Sequence, residues 1–175
     1  MSSVNYSKKG HVAHITLSPE ANQQLAQELE DICHKINQDN DIYVVTVAGD
    51  GEVFCRGNSW EYSIVAPIAR ITQPVIAAIN GDALGQGLEL ALSCDIRITS
   101  DKAYFGLPQV SMGAIPTDGG TQRLPYIVGK GKALELILMA ETIDAKEALE
   151  IGLVSKVVPG DNTIMLFDNI TKPPD

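Results

Sequence analysis

No stretch of this 175-residue chain reaches the ~20 consecutive apolar residues that a membrane-spanning helix needs. The opening residues, MSSVNYSKKG, lack the apolar core of a secretory signal, so the expected location is the cytoplasm, without a membrane partner. Positive charge is scarce. Thirteen Lys and Arg stand against 22 Asp and Glu, a net charge of −9. That balance argues against nucleic acid as a partner, and an anionic ligand would need local cations or backbone amides to hold it. The only cysteines, Cys33, Cys55 and Cys94, are far apart and lack metal-ligand spacing. They read as buried thiols, and no metal is expected. There is no G-x-S-x-G nucleophile elbow, no H-E-x-x-H and no P-loop. Histidine supplies no other mechanism. His11 and His14 read as lying on one strand at odd spacing, hence on opposite faces, and His34 falls on a helix.

Hydrophobic residues make up 45% of the chain and charged residues 20%. Both values are typical of globular chains, and the length suits one domain with a sizeable core. HVAHITLS alternates and reads as a first strand. Leu25, Leu29, Ile32 and Ile36 recur at helical spacing. IYVVTVAG and QPVIAAIN are near-continuous apolar runs, as expected for strands buried on both faces. GEVFCRGNSWEY holds a short strand and a turn centred on Gly57, GLELALSC reads as a helix, and IRITS and AYFGLP as further strands. Helices around Pro125 and Gly129 follow, then a short helix capped by Asp144 and a last strand, LVSKVVP. The alternation predicts an α/β fold with a largely parallel sheet. One core domain is expected over residues 1–160, with a poorly packed tail over residues 161–175.

IAAINGDALGQGLELALSCD, residues 76–95, carries the strongest local signal. A strand runs into Asn80-Gly81, then Gly85, Gln86 and Gly87 open a helix with Glu89 in its first turn. Helix N-termini present unpaired N–H groups and partial positive charge. Flanking glycines let a ligand approach the backbone. Such a turn holds a phosphate, or an oxygen that becomes negative during reaction. It is equally the pattern of a plain tight turn whose acid complements the helix dipole. The glycines do not match a dinucleotide fingerprint. A second turn, FCRGNSW, follows IYVVTVAG and could bring another amide beside the first, although spacing alone does not make them meet.

Residues 74–159 closely resemble the enoyl-CoA hydratase/isomerase family, the crotonases. GDALGQGLE, FGLP and GGTQRL stand in the family's order and spacing, and HITLS, VVTVAG and FCRGNSW extend the match upstream. The resemblance implies a crotonase-like superhelix of stacked β-β-α units, acting on an acyl-CoA thioester. Coenzyme A then arrives as part of the substrate, and no permanently bound cofactor is expected. The resemblance also implies two backbone amides, of Asn58 and Gln86, polarising the thioester carbonyl, and a backbone donor is insensitive to its own side chain. Gly57, Ser59, Trp60 and Glu61 match the family's coenzyme A-contacting stretch. Trp60 either packs along the ligand or sits in a core or interface. Arg56 reads either as a phosphate contact or as plain surface charge.

The pattern breaks at one chemical position. Family hydratases use two glutamates to add water across the double bond. Glu89 matches the first, but FG-x-P-E reads FGLPQ here, so Gln109 stands at the second. An amide cannot exchange the proton. Asp118, before Gly119-Gly120, is either a helix-start acid or a replacement acid facing the site. Only 13 residues separate Trp60 from Pro74, where relatives carry a longer pocket-covering stretch. Beyond Pro159 relatives continue into a helical region that supports a trimer. Apolar surface left uncovered there is expected to drive homo-oligomerisation, to a trimer or a multiple of it. The expected activity is enoyl-CoA hydratase-like. The alternatives are an impaired acyl-CoA-binding or assembly subunit, and a single-acid decarboxylase or hydrolase.

Overall fold

A strand precedes the first one that periodicity picks out. β1 (Val4–Lys9) buries Val4 alone among its six residues, so it shows no alternation. It pairs antiparallel with β2 (Val12–Leu17), which buries four of its six. The structure, a computed structural model, describes residues 2–160. The expected tail over 161–175 lies outside the described residues. α1 (Gln23–Gln38) follows, its N-terminus capped by the Asn22 side chain accepting from the Leu25 N–H. Leu25, Leu29 and Ile36 are fully buried, and Ile32 packs at the margin of the core.

Three strand–strand–helix units come next, the stacking expected above. β3 (Val44–Gly49), β4 (Val53–Gly57) and α2 (Val65–Ala69) form the first. β5 (Val75–Ile79), β6 (Asp82–Gly85) and α3 (Gln86–Ser93) form the second. β7 (Ile96–Ser100), β8 (Tyr104–Gly106), a 3-10 helix (Pro108–Met112) and α4 (Gly120–Val128) form the third. The chain then adds α5 (Lys130–Leu138), β9 (Thr142–Asp144), α6 (Ala145–Glu150) and β10 (Lys156–Val158). Asp144 caps α6 as predicted, accepting from the Glu147 N–H at 2.8 Å.

In each unit the first strand enters a six-stranded sheet of order β1-β2-β3-β5-β7-β10, and the second enters a four-stranded sheet of order β4-β6-β8-β9. The larger sheet is parallel apart from the β1–β2 pair. All five residues of β5 are buried, as its apolar run requires. Phe54, Leu88 and Phe105, fully buried, join residues of both sheets into one core with α1. Burying side chains of this size contributes about 1.5–3 kcal/mol each. Two readings need correction. The glycine-rich turn after Asn80 contains β6, a full member of the second sheet. His11 precedes β2 instead of lying within it, and stacks on Tyr43 with ring centroids 4.2 Å apart.

Candidate active site

The two glycine turns meet because β4 and β6 are parallel neighbours. Their register ends on the rung Gly57↔Gly85, so Asn58 and Gln86 leave adjacent strand ends together. Gly85 has φ +58°, and a Cβ there would lie 2.1 Å from the Gly57 carbonyl oxygen. No side chain fits at that position, and the close approach of the two turns depends on it. Asn58 is exposed, whereas Gln86 is 1% exposed.

The Gln86 side chain is engaged within the protein. Its Oε1 accepts from the Ser59 N–H at 3.1 Å, and its Nε2 donates to the Tyr62 carbonyl at 3.0 Å. A longer contact of 3.5 Å runs from Nε2 to Asp118 Oδ2. Neither Tyr62 nor Ser63 stood out in the sequence. Both lie more than twenty residues from their partners, and no local pattern announces such contacts.

Glu89 is wholly buried in the first turn of α3. Its carboxylate does not serve its own helix. Oε1 accepts from the N–H groups of Asp118 (2.9 Å) and Gly120 (2.8 Å), where α4 begins. The partial positive charge of that terminus favours the ionised form. Gln109 Nε2 donates to Oε2 at 3.3 Å. Burial raises the Glu89 carboxyl above its ordinary value, the two amides pull it back, and the nearby Asp118 charge adds to the rise. Gln109 is 4% exposed, and its Oε1 has no hydrogen-bond partner among the described residues.

Asp118 is part-buried, and its carboxylate makes no capping bond to α4. Its Oδ1 accepts from the Ser63 hydroxyl, and Ser63 Oγ in turn accepts from the N–H groups of Val65 and Ala66 at the start of α2. Asp118 therefore touches the surroundings of Glu89 through its N–H and those of Gln86 through its carboxylate. Trp60 is 74% exposed, which removes the core reading for it. Ser59 Oγ accepts from the Glu61 N–H, closing the turn. Arg56 pairs with Asp82 at 2.6 Å while remaining part-exposed, so a phosphate would compete with that carboxylate. The histidines stand apart. His14 bonds Thr46 and His34 bonds Gln38. Among the described residues no cluster of three or more His, Cys, Asp and Glu side chains could hold a metal. Nor is any described helix long and apolar enough to cross a membrane.

A buried carboxylate beside two converging backbone turns can move a proton next to an oxyanion. Comparison with known proteins points the same way. The family described as enoyl-CoA hydratase/isomerase matches residues 59–167. The short-chain-enoyl-CoA hydratase of Clostridium acetobutylicum is 40% identical over 181 residues, covering 90% of this chain and 69% of the relative. The structure of an enoyl-CoA hydratase from Bacillus anthracis superposes with a TM-score of 0.88 at 36% identity, covering 96% of this chain and 74% of that one. A monofunctional enoyl-CoA isomerase from M. smegmatis superposes with a TM-score of 0.87 at 32% identity, covering 97% and 83%. The chain spans about two thirds of the length of the curated relatives it matches.

Proposed function

The chain belongs to the enoyl-CoA hydratase/isomerase family, and from that premise we propose that it is an enzyme of acyl-CoA thioesters whose reaction is hydration of an enoyl-CoA. The observation that carries this reading is the rung Gly57↔Gly85, which sets the amides of Asn58 and Gln86 at adjacent strand ends, with Glu89 buried in the helix that follows. Two such donors aimed at a thioester oxygen stabilise the enolate, and losing one costs about 10²–10³-fold in rate.

With Gln109 unable to exchange a proton, Glu89 does both transfers. It takes a proton from water as the water oxygen bonds the β-carbon. The π electrons move onto the thioester oxygen held by the amides. Glu89 then returns that proton to the α-carbon as the enolate collapses. Burial raises the Glu89 carboxyl above its ordinary value, which makes its ionised form a stronger base for the first transfer.

A second reading is supported by Gln109 itself: a chain that binds acyl-CoA without turning it over, or that runs single-acid chemistry such as decarboxylation or thioester hydrolysis through Asp118. A panel of acyl-CoA thioesters followed for binding, hydration and free thiol separates these. Loss of enoyl absorbance without thiol release is the expected outcome. Tight binding with no turnover would replace the proposal with a binding subunit, and thiol release would replace it with a hydrolase.

We also propose a cytoplasmic location, supported by three free, buried cysteines, and a homo-oligomer, trimeric or a multiple of it. Leu134, Leu138 and Met139, on and just after α5, are exposed, as is Tyr126 on α4, and apolar surface of this kind favours self-association. Sedimentation should give an oligomer. A stable monomer at micromolar concentration would contradict it.

A further inference from the structure

We propose that the Gln86 side chain is a positioning residue, a strut that fixes the Asn58 amide against the Gln86 amide and ties both to the anchor of Glu89. The inference rests on the acyl-CoA reading above, and on geometry that reading does not require. Gln86 spends its carboxamide entirely inside the protein. Its acceptor takes the Ser59 N–H, one peptide beyond Asn58, and its donor takes the Tyr62 carbonyl in the same turn. These two bonds clamp residues 59–62 onto the first residue of α3.

The third contact reaches Asp118 Oδ2, whose own N–H holds Glu89 Oε1. Asp118 Oδ1 accepts from the Ser63 hydroxyl, which in turn accepts from the first N–H groups of α2. One side chain thereby joins the oxyanion turn, the helix that carries the carboxylate, and the loop that orients it. Apart from the chain itself at Gly57, the turn is tied to β4 through the Tyr62 hydroxyl, which donates to the Ala21 carbonyl, while the Ala21 N–H donates to the Arg56 carbonyl. Without the carboxamide, a buried-side acceptor and a donor in residues 59–62 lose their partners, and such groups reorient to find others. A displacement of order 1 Å at a reacting group is enough to cost about 10²-fold in rate.

The test uses the full chain and a conjugated enoyl-CoA with a spectroscopically visible carbonyl. Gln86→Met keeps length and the backbone N–H but has no polar head. Its kcat should fall about 10- to 100-fold with KM changing far less, and the carbonyl band of the bound thioester should lose part of its polarisation shift. Gln86→Pro, tolerated sterically at the first helical position, also loses the backbone donor and should fall further. Gln86→Glu is the second variant. It keeps the acceptor for Ser59 and regains a donor for Tyr62 only when protonated, so its kcat relative to the parent should rise as pH falls. A space-filling side chain would not produce that dependence. Wild-type carbonyl shift and kcat in Gln86→Met, or a Gln86→Glu ratio flat with pH, would overturn the strut while leaving the acyl-CoA reading intact. A parent chain that neither binds nor polarises any acyl-CoA would overturn both.

Discussion

Replacing Glu89 by Gln should lower enoyl-CoA turnover by about 10²–10⁴-fold, the usual contribution of a positioned acid or base, while leaving the fold intact or firmer. The amide is nearly isosteric, and its oxygen can still accept from the Asp118 and Gly120 N–H groups that hold Oε1. Its nitrogen then meets Gln109, whose own amide can turn to present the oxygen that otherwise lacks a partner. The sign of the stability change follows from the raised carboxyl. A group whose folded value lies above its unfolded one favours the fold fully only below the unfolded value, and that contribution is lost as pH rises through the folded value. Gln at this position loses nothing on that rise. The variant should therefore melt higher than the parent at neutral and mildly alkaline pH, with the gap closing on acidification. Melting curves across pH, measured beside turnover, check both halves. Full activity in Glu89→Gln would move the catalytic acid elsewhere, with Asp118 the first residue to try.

The converse substitution, Gln109→Glu, should raise hydration by some part of the same ~10²–10⁴-fold. The new carboxyl would occupy a buried position whose amide nitrogen now lies 3.3 Å from Glu89 Oε2. Two carboxyls so close do not both ionise freely. They share a proton and titrate as a pair, one of them pushed upward. Activity should accordingly gain a bell-shaped pH dependence, with one partner ionised to take the proton from water and the other protonated to deliver one. The same coupling should make the variant less stable than the parent at alkaline pH, where the second proton is forced off. Rates of enoyl-CoA hydration as a function of pH read the effect directly. No gain, with thioester binding intact, would place the deficiency in the segment between Trp60 and Pro74 rather than at residue 109.

Legibility in the sequence followed the length and burial of each element. β3 and β5 announced themselves because two buried faces demand an unbroken apolar run, and α1 because its buried residues recur at helical spacing. β1 was invisible: one buried residue in six carries no period. β6 reads as part of a turn because it has four residues, one of them glycine, and follows another glycine. α2 spans five residues with a proline inside, below what periodicity resolves. At the site, the position of Glu89 in the first turn of α3 and the break at Gln109 could be read directly. The meeting of the two turns could not, since it depends on the register of two short strands 28 residues apart. Nor could the destination of the Glu89 carboxylate, which reaches across to α4, or the contacts of the Gln86 carboxamide, because side-chain direction at a helix start is decided by tertiary neighbours.

The three buried thiols have a practical meaning of their own. Burial pushes Cys33, Cys55 and Cys94 each up to about 12, far from the thiolate form that attacks electrophiles. An intact molecule is therefore chemically quiet toward disulfide-exchange dyes, and coenzyme A liberated by any side reaction can be titrated in its presence without background. Quiet sulfurs also make built-in clocks. Cys33 lies on α1, Cys55 on the strand that ends at the Asn58 turn, and Cys94 at the end of α3. Each becomes alkylatable only when its own region opens, so labelling kinetics followed by peptide mass would rank the breathing of these three regions. No reporter group would need to be engineered into the chain.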